Sequence, residues 1–294
     1  MTPLPIARSS VELRTRVATA RSEGRRIALV PTMGALHEGH LSLVKIARAS
    51  ADMVIASVFV NPTQFAPNED FHSYPRDEAG DAALLAGAGC DLVYAPSAET
   101  MYPAGFSTTV SVANVSAPLE GAFRPHHFAG VATVVAKLLI QASPDSAVFG
   151  EKDYQQLQVI RRLAVDLDLG VGIVGAPIVR DEDGLALSSR NAYLSTAERE
   201  AAPALHRALT RAAEALSQGA HVSAVEEDGR SLIQAAGFDG VDYFEVRGPN
   251  DLERLRPGRL ESPGRILVAA RIGRTRLIDN LAACPTRPPA RAGA

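Results

Sequence analysis

The sequence predicts an α/β fold, a parallel sheet with helices on both faces, followed by a smaller C-terminal α+β domain. Three observations carry that reading. Short β-rich runs alternate with helix-spaced stretches through the first 178 residues; the alternation stops near residue 179; and 294 residues exceed one ordinary core and fit about two domains.

The elements follow in order. Arg26 to Pro31 is a short apolar run stopped by proline, so it reads as a buried strand. Gly39 to Ala51 carries Leu41, Val44 and Ala47 at helical spacing. Met53 to Val60 is the next strand, ended by Asn61-Pro62. Asp77 to Gly89 reads as a helix and Asp91 to Ala95 as a strand. Val131 to Ala142 (helix), Ser146 to Phe149 (strand), Tyr154 to Asp166 (helix) and Val171 to Val174 (strand) continue the pattern. Strand–helix repetition of this kind builds parallel sheets, whose ligands bind beyond the strands' carboxyl ends. The loops after Val30, Val60 and Phe149 are therefore the expected site.

In the second domain, 179–283, Thr196 to Ser217 and Ser223 to Ala236 read as helices. Val241 to Arg247, Arg265 to Ile272 and Arg274 to Leu281 read as strands, the last two antiparallel about Gly273. Residues 284–294, rich in proline and alanine, read as a flexible tail.

Composition excludes several classes. Hydrophobic residues at 46% and charged residues at 21% rule out wholesale disorder. A net charge of -3 lacks the electrostatic footprint of a nucleic-acid binder, so no nucleic-acid partner is expected. Two distant cysteines, Cys90 and Cys284, cannot build a disulfide scaffold or a cysteine zinc site. With no bilayer-length apolar run and no leader-like N-terminus, a cytoplasmic protein without a membrane partner is expected.

Three polar segments carry chemistry. Pro31, Thr32, Met33, Gly34, Ala35, Leu36, His37, Glu38, Gly39 and His40 join a predicted strand to a predicted helix. Backbone N–H groups and the helix dipole there favour a polyphosphate, and imidazoles can donate to its oxygens. Two solvated loop histidines are the plainer reading; the strand–loop–helix setting favours the functional one. Their three-residue separation does not match a zinc-protease HExxH helix. The second segment, Gly150, Glu151, Lys152, Asp153, Tyr154, Gln155 and Gln156, follows the strand ending at Phe149. Lys152 offers phosphates a point charge; the same stretch also reads as a helix start capped by Asp153. The third, Leu187, Ser188, Ser189 and Arg190, suits anion recognition, although alone it reads equally as a solvated loop. Gly170 to Gly175 matches GxGxxG formally but sits on a strand-like run, and His126-His127 reads as a polar loop.

Together these motifs resemble the pantothenate synthetase (pantoate–β-alanine ligase) family, within the HxGH nucleotidyltransferases. The matching stretches are Pro31–His40, Phe59–Phe65, Tyr74–Arg76, Leu119–Pro125, His127–Val131, Phe149–Leu157, Asp183–Asn191 and Arg276–Asn280, in family order. The resemblance implies a Rossmann-like domain (1–178) binding nucleotide and pantoate, a smaller domain (179–283) closing over the active site, and a cytoplasmic homodimer. It implies that ATP and pantoate give pantoyl adenylate and pyrophosphate, and that β-alanine then displaces AMP to form pantothenate.

Carried over by motif, Pro31, Met33 to His40, Gly150 to Asp153, Val179 and Leu187 to Arg190 form the ATP site. His40 takes the family's proton-donor position, and His37, Lys152 and Arg190 complete the catalytic set. Gln64 and Gln156 hold pantoate, Gln64 also meets β-alanine, and Asn61 and Arg124 are further candidates from matched segments. Mg²⁺ is expected with ATP; its protein ligands are left unknown, with Asp81 as a candidate. The chain departs from the family's frequent Asn-Pro-Met-Gln at Thr63. Transfer of AMP to another acid or phosphate ester, and a silent nucleotide sensor, are the competing readings.

Overall fold

Residues 3–67, 69 and 71–285 are described by the computed structural model. Strands β1 (Ile6–Ala7), β2 (Ile27–Thr32), β3 (Met53–Val58), β4 (Leu92–Tyr94), β5 (Ser146–Gly150) and β6 (Gly172–Ala176) form one parallel sheet in the order β1-β4-β3-β2-β5-β6. The central strand β2 is the most enclosed, with Ile27 to Val30 wholly buried, as a strand covered on both faces requires. It runs one residue past Pro31, because Pro31 keeps its place in the parallel register opposite Ser57.

Helices α1 (Ser10–Ser22), α2 (Glu38–Ser50), α3 (Glu78–Gly87), α4 (Ala98–Met101), α5 (Glu120–Phe123), α6 (His127–Ala142) and α7 (Tyr154–Asp166) complete this part of the chain. Leu43, Val44 and Ala47 of α2 and Leu85 of α3 pack with Ala28, Val30, Val54, Ala56 and Val148 on one sheet face. The alternate residues Leu29 and Ile55 point to the other face by the strand's two-residue period. There α6 packs with β2, α1 and α7.

The chain divides into two compact units, 1–179 and 180–294. In the second unit α8 (Thr196–Ala201), α9 (Ala204–Ser217) and α10 (Val222–Ala235) accompany an antiparallel sheet of β7 (Gly240–Arg247), β8 (Gly264–Ile272) and β9 (Thr275–Ala283). Gly273, at φ +52°, makes the tight β8–β9 turn. Leu205, Leu209, Phe244, Val246, Ile266 and Val268 anchor this unit's own core.

Three expectations need correction, and two elements add to them. The helix expected over 196–217 is two, because Pro203 has no N–H to continue the ladder. α6 begins at His127, so that residue is helical and not in a polar loop. Asp153 occupies the N-cap position of α7 without a side-chain capping bond, since a 3₁₀ turn, Glu151–Asp153, precedes it. Strand β1 and helix α1 were not anticipated; α1 buries only Leu13, Val17 and Ala20 among charged and polar residues. Of the tail, residues 286–294 lie outside the described residues. No described helix is long and apolar enough to cross a membrane.

Candidate active site

The three loops expected to bind ligand leave β3, β2 and β5, which are adjacent and parallel, so all three open at the same sheet edge. After β2 the chain turns through Gly34 (φ +83°) and Ala35 (φ +53°). Asp81 of α3 holds that turn: its carboxylate accepts from the N–H of Ala35 at 3.0 Å and of Leu36 at 2.9 Å. A Cβ at Gly34 would lie 2.8 Å from the Asp81 carboxylate, so glycine is needed for space as well as for φ. Burial raises the Asp81 pKa, with the two N–H groups opposing.

His37 is the N-cap of α2, and its Nδ1 accepts from the Gly39 N–H at 3.1 Å. The proton of the neutral ring is therefore on Nε2, which becomes its donor end. The His40 ring lies 4.2 Å from that of His37, centroid to centroid. His40 is half-buried as a residue, but its Nδ1 is enclosed and meets no hydrogen-bond partner. Burial, then His37, then Lys152 push its pKa down to about 3. Lys152 stands in the 3₁₀ turn after β5, and its charge acts on His40.

His127, the first residue of α6, is the second depressed histidine. Its Nδ1 donates to the Gln64 carbonyl at 3.0 Å, and burial with Arg124 lowers its pKa to about 4. Both rings take up protons near pH 6.5 when unfolded and only near 3 to 4 when folded. The unfolded chain thus binds more protons in that window, and stability must fall as pH drops through it. A loss on the order of a few kcal/mol is expected between about pH 6.5 and 4 in urea titrations. Glu69 and Glu78, held below the usual 4.5, add their losses only at lower pH. Flat stability from about pH 6.5 to 5 would contradict the assignment of neutral buried imidazoles.

The loop after β3 forms a 3₁₀ turn, Pro62–Gln64, packed against α6 at Gly130. Buried Asn61 donates through Nδ2 to the Gln64 Oε1 at 3.1 Å and to the Gly130 carbonyl at 3.2 Å. The Gln64 Nε2 lies 3.2 Å from the Met33 Sδ, which ties this loop to the one after β2. Arg124 forks onto Glu69, both bonds 2.6 Å, and reaches the Gln64 carbonyl at 3.3 Å. In the loop after β5, Gln155 is buried and structural: it accepts from the Glu120 N–H and donates to the carbonyls of Val115 and Pro118. Gln156, one residue on, is half-buried in the first turn of α7.

This geometry has relatives. A family model described as Pantoate-beta-alanine ligase matches residues 5–282. The chain belongs to the pantoate-beta-alanine ligase family. It is 61% identical over 283 residues to the pantothenate synthetase of Caulobacter vibrioides, covering 96% of this chain and 99% of that one. The pantothenate synthetase of Rhodospirillum rubrum is 58% identical over 281 residues, covering 96% and 99%. Among solved structures, pantothenate synthetase from Thermus thermophilus superposes with a TM-score of 0.89 at 48% identity, covering 94% and 98%. Pantoate-beta-alanine ligase from Francisella tularensis, complexed with beta-gamma ATP and beta-alanine, gives 0.77 at 34%, covering 95% and 97%.

Within this member of the ligase family, the remaining expected site residues are placed as follows. Glu38 is exposed and pairs with Lys45 at 3.6 Å. Val179 is the last residue of the first unit. In the second unit, Ser188 caps a 3₁₀ turn (Ser189–Tyr193) by accepting from the Arg190 N–H at 3.3 Å. Arg180 braces the preceding turn, forking onto Asp279 at 2.7 and 2.9 Å and bonding the Gly184 carbonyl at 3.0 Å. Met33, His127 and Asp279 lie in matched stretches and Asp81 was a metal candidate, but the bonds they make, each to a partner distant in the chain, carry no local sequence signal. Asp81, the metal candidate, turns both carboxylate oxygens to backbone N–H groups. The described residues include no group of three or more His, Cys, Asp or Glu placed to hold a metal ion.

Proposed function

We propose that this chain condenses pantoate with β-alanine to give pantothenate, using ATP and releasing AMP and pyrophosphate. The observation that carries the reading is the His37–His40 pair at the start of α2, with the Gln64 amide on the neighbouring loop and the Lys152 charge acting on His40 from the turn after β5. Phosphate-binding groups and an acid-binding amide thus share one sheet edge, as an enzyme joining a carboxylate to a nucleotide needs.

A carboxylate acylates poorly because its leaving group would be oxide. Attack of a pantoate carboxylate oxygen on the α-phosphorus of ATP expels pyrophosphate and leaves an acyl adenylate. The neutral β-alanine amine then attacks the acyl carbon, AMP leaves, and the nitrogen gives up its proton. His37 Nε2–H and Lys152 donate to phosphate oxygens as charge develops there. His40 is neutral in the resting protein, chiefly because it is buried; the negative charge of bound ATP favours its protonated form and raises its pKa toward that of a proton donor. Gly34 to Gly39 and Gly150 to Asp153 supply backbone to the nucleotide, and Ser188, Ser189 and Arg190 are assigned to its phosphates. Gln64 and Gln156 are assigned to pantoate, and Gln64 also to β-alanine.

The described residues include no dedicated Mg²⁺ cage, so the ion is assigned to the ATP phosphates. A cytoplasmic homodimer belongs to this proposal, as the resemblance to the family implies.

Incubation with pantoate, β-alanine and Mg-ATP tests the reading. Pantothenate and AMP in equal amounts are expected; AMP transfer only to some other acceptor would contradict it.

A further inference from the structure

The two ends of the Gln64 amide are not equivalent, and the reason lies behind the residue. Asn61 is 1% exposed, and two backbone groups with irreversible roles fix its orientation. The Thr63 N–H faces Oδ1 at 3.4 Å, and the Gly130 carbonyl receives Nδ2–H at 3.2 Å. The other Nδ2 hydrogen goes to Gln64, so the Gln64 atom at 3.1 Å must be its oxygen. Gln64 then presents Nε2, a donor, beside the weak thioether acceptor of Met33.

The shortest bond holding Asn61 comes from a residue that none of the matched motifs contains. The Tyr102 hydroxyl donates to Asn61 Oδ1 at 2.7 Å, shorter than the Thr63 hydroxyl's bond to the same oxygen at 3.0 Å. Phe106 packs edge-on against the Tyr102 ring at 5.1 Å, and Phe59 lies 6.3 Å away, so the hydroxyl is aimed by its surroundings. Burial raises the Tyr102 pKa, which keeps the hydroxyl a donor.

We propose that Tyr102 is a positioning residue for acid recognition: through Asn61 it holds the Gln64 amide with its N–H end toward the acid, selecting an oxygen acceptor. This rests on the reading of Gln64 as a pantoate-binding residue. Without the Tyr102 hydroxyl, Asn61 keeps its backbone partners but loses its shortest bond, so its Nδ2 holds the Gln64 oxygen less firmly and the amide is freer to turn that oxygen toward the acid's oxygens, which repels them.

The test is steady-state kinetics of Tyr102→Phe, Gln64→Ala and the double variant, with melting temperatures alongside. Tyr102→Phe should raise the pantoate KM about fivefold to tenfold, the worth of one hydrogen bond, with the ATP KM and melting temperature nearly unchanged. In the Gln64→Ala background the same change should have no further effect on pantoate KM, because Tyr102 acts only through that amide. A merely structural role would lower stability and act equally in both backgrounds, and either result overturns the proposal. If Gln64→Ala raises pantoate KM and Tyr102→Phe does not, the proposal fails and the assignment of Gln64 stands. If Gln64→Ala leaves pantoate KM unchanged, both fail.

Discussion

His40→Ala is expected to slow pyrophosphate release on the order of 100-fold or more, while the chain stays folded. One donor placed on developing phosphate charge is typically worth about 3 kcal/mol of transition-state stabilisation. Stability should not suffer, because His40 Nδ1 is enclosed without a partner and the ring resists protonation down to about 3. Removing it takes away a desolvated polar group and part of the acid-induced stability loss. The variant should therefore melt at or above the parent temperature near about pH 5. Near-normal pyrophosphate release by a folded variant would refute the assignment.

Gly130→Ala should damage acid use almost as severely, from a position on a helix with no reactive group. A Cβ there would lie 2.4 Å from the Thr63 carbonyl oxygen and 2.7 Å from the Gln64 backbone nitrogen. These are main-chain atoms, so the Pro62–Gln64 turn or α6 itself must move. Displacing the turn shifts Gln64 and strains the bond from Asn61 to the Gly130 carbonyl. Misplacement by about 1 Å can cost roughly 100-fold in rate, so pantoate kcat/KM should fall about 10- to 100-fold. Overpacking should also cost about 1–3 kcal/mol of stability. Gly87→Ala in α3, where a Cβ meets nothing within 4 Å, is the matched control and should be tolerated. Unchanged pantoate kinetics in Gly130→Ala would show that the turn does not set the acid site.

The position of the site was legible because it depends on local signals: apolar strands β2, β3 and β5, each followed by a polar loop. The histidine pair was legible for the same reason, since a strand, a glycine turn and a helix start are contiguous. What sequence did not disclose depends on closure in three dimensions. Asp81 braces Ala35 and Leu36 across 46 and 45 positions of chain, and Asn61 meets the Gly130 carbonyl across 69. His127 read as a polar loop because its role, a bond to the Gln64 carbonyl, is set by the packing of α6. Gln155 and Gln156 are adjacent and chemically identical. Only the carbonyls of Val115 and Pro118 reveal that the first is structural.

The proposed reaction requires that pantoate's own oxygen attack the α-phosphorus. Pantoate labelled with ¹⁸O in its carboxylate, turned over with β-alanine and ATP, tests this most directly by mass spectrometry of the products. One labelled oxygen is expected in the AMP phosphate and the other in the amide carbonyl of pantothenate. Label in inorganic phosphate with ADP as co-product, or AMP carrying none, would contradict it.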